Sequence, residues 1–484
     1  MRHRRYRTFT HIAMLGCMLS AVAIFPSSAS ALGTVQTKSQ TVSHNGKSFT
    51  AQWVTVDLTD PYLRVKPVTA AEGIGHDESF ASMLDRSHAI AGINGTFFDA
   101  YEQNEANRYP NGLLVSSGEI VHSGTNPAFL VNADKTASLQ RMQTEQQISV
   151  THQGKAYKFA AWGVNKYWGD DVEDQVVWYT RDFGASIGFP NSTKIVLREG
   201  KVTNITTDSV NMPEDGYVFL LGNSANNRTH VLPNIHLGDS VQLVSALHNE
   251  DNGSAVQLPT VDAAIGAGPH LLTNGVVDLD AQRDGFTDPK ITTSANVRSF
   301  IGIDASRQMV MGTLSTATMA DMAEVLLKIG LTDAMNLDGG ASSSLYANGT
   351  MLRSAGRELS NAFVVERLDH PQIQLEVNGQ FVHEFRGYLL QETSMVPFRG
   401  ILERIGAKFQ WQEATRTLSV QYGSKQLELQ PDHAVMKVNG KSVTLPEAPT
   451  IKDGHIYMPL RAIMESLGGK VQWDPSLYRA SLQF

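Results

Sequence analysis

A single cysteine, Cys17, occurs among the 484 residues, which excludes a disulfide framework and leaves no thiol chemistry beyond that position. Clusters of lysine and arginine are missing past the first few residues, and acidic side chains outnumber basic ones by 48 to 40. A net-acidic surface without basic patches excludes nucleic acid as the partner. Long apolar runs are equally scarce. The only one, residues 12–25, falls short of the roughly 20 residues that a bilayer span needs. Arg2, Arg4, Arg5 and Arg7 precede it and Ala29-Ser30-Ala31 follows, the layout of a secretory signal peptide over residues 1–31. A retained membrane anchor and a lipidated Cys17 are the lesser readings. Cleavage after Ala31 removes Cys17 and the four arginines, taking the formal charge from -8 to -12. The expectation is a secreted, extracellular or cell-surface protein with no integral membrane span after cleavage.

What is present is β structure. A chain of this length implies two or three domains, and its 42% hydrophobic and 18% charged content suits a globular protein. Alternating segments at 51–58 and 63–68 flank Asp60-Pro61, and short strand patterns recur at 113–115, 176–179, 217–221 and 241–247, punctuated by Asn-Gly, Ser-Gly and Asp-Gly turns. One clear helix is expected over 319–329, where Met319, Met322, Ala323, Leu326 and Ile329 share a face, Thr318 and Asp321 offer a capping box, and Gly330 stops it. The fold class expected is α+β: a large mixed β-sheet with packed helices.

That helix delivers the chain into Asn336-Leu337-Asp338-Gly339-Gly340-Ala341-Ser342-Ser343-Ser344. The segment sets one carboxylate on a glycine turn beside three hydroxyls, after a strand pattern at 331–337. On its own it reads equally well as a polar site or as a hairpin turn with serine flanks.

The surrounding segments separate the two. Asn94-Gly95-Thr96-Phe97-Phe98-Asp99, Ile265-Gly266-Ala267-Gly268-Pro269, Arg298-Ser299-Phe300-Ile301-Gly302 and Arg357-Glu358-Leu359-Ser360-Asn361-Ala362 flank the Asp338 motif. Together, in this order, they resemble the phosphodiester glycosidase family, which includes the enzyme that removes an N-acetylglucosamine cap from mannose 6-phosphate. The resemblance spans about 89–366, and Ala341 departs from it, standing where many members carry glycine. It implies that these positions lie in or near the site but not their individual roles; the residues' chemistry suggests Asp338 as general base or nucleophile and Arg298 and Arg357 as a phosphate clamp. Asn94, Asn165, Asn336 and Asn361 would orient the sugar, and Gly339, Gly340, Ser342, Ser343 and Ser344 would line the binding site. Arginine suits the phosphate role because its planar guanidinium binds phosphate oxygens in pairs. For each residue a purely structural role is the competing reading: ion pairing for Arg298, a plain turn for Asn94-Gly95, and alternation into the sheet for Ser343. His122 and His270 lie beside the motifs as alternative proton carriers, and Asp99, Glu102 and Glu105 as an alternative acid.

Past residue 368 the chain repeats itself. Val396-Pro397-Phe398-Arg399-Gly400-Ile401-Leu402-Glu403 recurs as Met458-Pro459-Leu460-Arg461-Ala462-Ile463-Met464-Glu465, and Trp411 recurs as Trp473, each pair 62 residues apart. Each unit reads as a helix starting at proline, ending at glycine and followed by a strand. This small C-terminal α+β module, 372–484, resembles the copper amine oxidase N-terminal-like domain found on Gram-positive surface proteins. No copper is expected, because His433 and His455 stand alone. No other metal-spaced group appears, although Asp170-Asp171 and 284–288 are acidic turns suited to calcium.

The organisation expected is therefore a signal peptide at 1–31, N-terminal strands at 32–88, a glycosidase-like domain at 89–367 and the repeated module. The function expected is exported hydrolysis of a sugar-1-phosphodiester, N-acetylglucosamine-like, in a phosphosugar glycoconjugate or cell-envelope polymer, with the module contacting cell wall. No cofactor is required beyond an optional divalent cation. The alternatives are a non-catalytic cell-wall or spore-surface binding protein on the same fold and a metal-dependent phosphodiesterase.

Overall fold

The computed structural model describes residues 34–452 and 455–484; the signal-peptide segment and Cys17 lie outside the described residues. Two sheets face each other at the centre. The first has seven strands and contains Val35–His44, Lys47–Val56, Met309–Ala317, Asn296–Asp304 and Leu331–Asn336, in that spatial order. The second has five, with Ala89–Asn94 and Asn361–Arg367 adjacent at its middle.

Strand alternation decides which layer each side chain joins. In Asn361–Arg367, Phe363 and Val365 enter the core between the sheets, whereas Ala362 and Val364 pack with Met83 and Leu84 of the outer helix Phe80–Arg86. In the seven-stranded sheet, Ile301 and Met335 enter the same central core, while Phe300 and Ala334 pack outward against the helix Met319–Lys328. The result is a helix–sheet–sheet–helix stack.

A third sheet of thirteen strands has its own core around Leu130, Ile148, Trp178 and Phe219, and sends Leu114, Phe129 and Ile265 into the core between the first two. The protein is thus mostly β, with several sheets in place of one large central sheet and few helices. Short turns explain the difference: pairs such as Asn45-Gly46 and Asn274-Gly275 hold positive φ and join neighbouring strands antiparallel. Parallel pairing between strands, among the described residues, is confined to Gly163–Val164 with Val176–Tyr179 and to Gln372–Val377 with Arg479–Gln483, apart from an isolated bridge between Ile74 and His76.

The C-terminal residues build a separate core that includes Phe398, Ile401, Leu460 and Ile463. The two repeat units do not form two equal halves. Strands Lys408–Gln412 and Thr417–Tyr422 of the first join a five-stranded sheet, while Lys470–Asp474 and Arg479–Gln483 of the second join a seven-stranded one. An ion pair of 2.5 Å between Arg386 and Asp262 ties this module to the thirteen-stranded sheet. No helix among the described residues is long and apolar enough to cross a membrane.

The helix Met319–Lys328 starts in a complete capping box: Asp321 N–H donates to Thr318 Oγ1 at 3.1 Å, and Asp321 Oδ2 accepts from Thr318 N at 3.3 Å. Lys47 Nζ also reaches Asp321 at 3.3 Å, joining the N-terminal hairpin to the helix. We expect Thr318→Ala to cost about 1 kcal/mol, read as a lower urea midpoint at pH 7 with an unchanged m value.

Candidate active site

Where Leu331–Asn336 ends, the chain turns at Asp338-Gly339-Gly340. Gly340 takes φ +61°, the left-handed region that a side chain disfavours, and a short 3-10 turn, Gly340–Ser342, brings Ser342 back towards Asp338. The Asp338 backbone is held on both sides: its N–H donates to Gly95 O at 3.2 Å, and its carbonyl accepts from Asn94 Nδ2 at 2.6 Å. Its Oδ1 accepts from Gly339 N–H at 2.9 Å, and Ser342 is a further hydrogen-bond partner of the carboxylate. The side chain is half-buried. Desolvation pushes its pKa up to about 6, against the opposing pull of Ser342, Gly339 N–H and the Arg357 charge.

The asparagines sit at strand ends and are largely spent on the protein itself. Asn94 Oδ1 accepts from Ser299 Oγ at 2.7 Å and from Ser344 N at 3.0 Å. Asn361 Oδ1 accepts from Thr96 N at 3.0 Å, and its Nδ2 donates to Ser360 Oγ at 2.8 Å. The neighbouring Gly95 passes so close that a Cβ there would lie 1.7 Å from Asn361 Oδ1. Asn336 Nδ2 donates to Gly268 O at 2.9 Å. Its Oδ1, together with the hydroxyls of Ser343, Ser344 and Thr96, is buried without a hydrogen-bond partner among the described residues. Asn165 is pinned by Val121 O and Thr180, each at 2.8 Å, and shares no hydrogen bond with the Asp338 group. Four amides read from the sequence as sugar ligands thus hold backbone in this fold, and Asn336 Oδ1 is the open acceptor among them.

The two arginines part company. Arg298 is buried, and its guanidinium donates to the carbonyls of Ala317 at 3.0 Å, Lys290 at 3.4 Å and Ser294. The position expected to clamp phosphate instead fastens the short helix Pro289–Thr292 to the seven-stranded sheet. Arg357 is half-buried and points to the same neighbourhood as Asp338, with Nη2 at 3.2 Å from Tyr101 OH and its guanidinium 5.1 Å from the Tyr101 ring centroid. Lys290 Nζ approaches the same ring at 5.9 Å, and Tyr101 itself is 72% exposed. Two cations therefore share one exposed aromatic ring, Arg357 also acting on the Asp338 carboxylate and Lys290 being held through its carbonyl by Arg298.

Sequence reasoning missed Tyr101, Lys290 and Ser299. Tyr101 lies inside an acidic loop whose carboxylates turn out to cap backbone: Asp99 accepts from Tyr101 N at 3.1 Å and Glu102 from Asn104 N at 2.9 Å. The histidines beside the motifs are buried. Desolvation lowers His122 to about 3, and its Nδ1 faces Gly112 O at 2.9 Å. In the acidic turn at 284–288, the Asp284 carboxylate accepts from the His270 backbone N–H and from Arg283, and Asp288 caps the Lys290 N–H. The metal-capable grouping that the sequence spacing hid, His152, His236 and Asp239, lies in the thirteen-stranded sheet.

Residues 191–366 match the family model described as phosphodiester glycosidase, and residues 376–481 match the copper amine oxidase N-terminal domain. No curated protein matches the sequence. Among solved structures, a hypothetical protein from Synechocystis is similar at TM-score 0.59 and 21% identity, over 69% of this chain and 62% of that one. This chain thus spans about three fifths of the length of that relative. A Burkholderia pseudomallei protein described as a candidate exported protein is similar at TM-score 0.54 and 18% identity, over 66% and 74% of the two chains. Both likenesses concern the fold. The chain carries a phosphodiester glycosidase domain followed by a copper amine oxidase N-terminal domain.

Proposed function

We propose that the protein is an exported hydrolase that cleaves the glycosidic bond of a sugar-1-phosphodiester, releasing free sugar and a phosphomonoester. The observation that carries this reading is a single raised carboxylate, Asp338, acted on by Arg357, which shares the Tyr101 ring with Lys290. Ordinary glycosidases use two carboxyl groups, because an alcohol must be protonated as it leaves. A phosphomonoester has a second pKa of about 6 and leaves as an anion without a strong acid. Asp338 takes the proton of the attacking water or attacks the anomeric carbon itself. The C–O bond breaks with its electron pair passing to the phosphate oxygen, and Arg357 and Lys290 balance the charge that grows there. The basic and apolar N-terminus and the exported description of one fold relative support export.

The substrate class proposed is a phosphosugar glycoconjugate or envelope polymer, with the C-terminal module holding the enzyme on it. Two clefts of that module support this. One is lined by Pro397, Arg399 and Trp411 and the other by Pro459, Arg461 and Trp473, the same three positions 62 residues apart. A duplicated cation and indole suits a polymer with a repeating anionic sugar unit. A non-catalytic surface-binding protein is the competing class.

Purified mature protein incubated with an N-acetylglucosamine-1-phosphodiester should release sugar and phosphomonoester, and Asp338→Asn should abolish the release. No release from a panel of such diesters by folded protein would transfer the reading to the binding class. Because catalysis here uses the ionised carboxylate, kcat/KM should rise with pH and level off above about 6.

Stability should move in the opposite sense. A folded pKa above the ordinary 3.8 means that wild type loses stability as pH rises from about 4 to 6. Asp338→Asn should therefore be more stable than wild type at pH 7.5, by about 1–2 kcal/mol after discounting for partial exposure, and equal to it near pH 4.

Arg357→Ala should lower kcat/KM about 100-fold, the scale of one lost transition-state contact, with the melting temperature unchanged. Arg298→Ala should instead lower the melting temperature, since it strips the carbonyls of Ala317, Lys290 and Ser294 of their donor and leaves a cavity where a buried side chain stood. In sedimentation with insoluble anionic wall polymer, Trp411→Ala and Trp473→Ala should each weaken retention, and the double variant should lose more than either.

A further inference from the structure

Away from Asp338, the thirteen-stranded sheet places two imidazoles on one carboxylate. His152 ends the strand Ala137–His152, and Asp239 immediately precedes the paired strand Ser240–Asn249, whose Ser240 faces Thr151 in register. His236 stands in the turn that leads into Ser240–Asn249. The turn is closed by His236 N–H donating to Asp239 Oδ2 at 2.8 Å and by Asp239 N–H donating to His236 O at 3.2 Å. His152 Nδ1 lies 2.6 Å from Asp239 Oδ1 and His236 Nδ1 lies 3.4 Å from Oδ2. The ring centroids lie 4.3 Å apart with the planes tilted by 34°, and the three ligand atoms fall within 4.8 Å of one another.

Three features distinguish this group from a surface ion pair. The Asp239 carboxylate is only 5% exposed, so its orientation is fixed by the fold. Both imidazoles present the same nitrogen to it, one to each oxygen. Two rings at this separation repel when both are protonated, whereas neutral imidazoles beside a carboxylate form a ready-made donor set of two nitrogens and one oxygen.

In a tetrahedral zinc site, with ligand bonds of about 2.0–2.2 Å, a nitrogen and an oxygen lie about 3.3 Å apart. The His236 separation already has this value, and His152 needs to swing by less than about 1 Å. The two ring edges are 40% and 51% exposed, which leaves a side open for entry and for a water as fourth ligand. Imidazole and carboxylate together select zinc-class ions over magnesium and calcium, which prefer oxygen.

We propose that His152, His236 and Asp239 form a binding site for a zinc-class divalent cation, distinct from the Asp338 site. Bound there, the ion clamps the end of one long strand to the start of the next, so its effect is on the sheet and not on the phosphodiester chemistry.

The test uses the full-length chain freed of metal by chelator dialysis and titrated with zinc chloride in a calorimeter at pH 7.5. The expected result is one saturating equivalent of zinc, a rise in the melting temperature on binding, and no comparable binding of magnesium. His236→Ala and His152→Gln should each weaken zinc binding at least about tenfold and remove the thermal shift, with unchanged circular dichroism. His236 is half-exposed, so its alanine variant is expected to fold; His152→Gln keeps bulk at the second ligand. The absence of a saturating equivalent, zinc affinity unchanged in both variants, or magnesium binding as tightly as zinc would each overturn the proposal.

Discussion

One carboxamide sets the geometry of the candidate site. Asn94 ends a strand of the five-stranded sheet, yet its side chain bonds Ser299 of the seven-stranded sheet, the backbone of Ser344 and the carbonyl of Asp338. Every partner is buried or half-buried, so each bond lost would leave an unsatisfied polar group costing about 1–3 kcal/mol. This cross-sheet tie fixes the turn bearing Asp338 relative to both sheets. Asn361 performs a parallel service on the loop after Asn94, and Gly95 lets the two run in contact.

With the backbone so constrained, the charges around Asp338 divide into those that build and those that face outward. Arg298 is buried and satisfied by carbonyls, and its value lies in holding Lys290. Arg357 and Lys290 keep their ammonium and guanidinium groups at the rim, against the exposed ring of Tyr101. Glu366 shows the same economy elsewhere: buried in the five-stranded sheet, it is paired with both Arg64 and Lys66 on the neighbouring strand. At Glu366, buried charge is matched by cations supplied across a strand pair.

Much of this was legible in the sequence, and the failures are instructive. The helix at 319–328 and its capping box are local features, written in a 3.6-residue stripe and a Thr318/Asp321 pair, and they folded as the pattern implies. The Asp338 turn was equally local. The family and the C-terminal module were legible because their motifs are ordered and spaced. What sequence could not show is partnership at long range. Arg298 and Arg357 look alike as letters, and only folding buries the first beneath Gly339 and leaves the second at the rim. Tyr101 and Lys290 are 189 residues apart and meet solely in three dimensions. Sheet number was misjudged for a related reason: alternation identifies strands but carries no information on which sheet each joins.

The position of the first strands bears on how the chain reaches this state. Lys47–Val56 pairs with Met309–Ala317, residue Ala51 facing Leu314, 263 positions later, so the N-terminal hairpin has no sheet to complete until that much chain has followed it. Closing so large a loop makes non-local pairing slow. For the export proposed above, that delay leaves the N-terminal hairpin without the rest of its sheet while the chain is still being delivered. The same topology makes the carboxylate turn a late arrival, assembled only when both ends of the domain are present together.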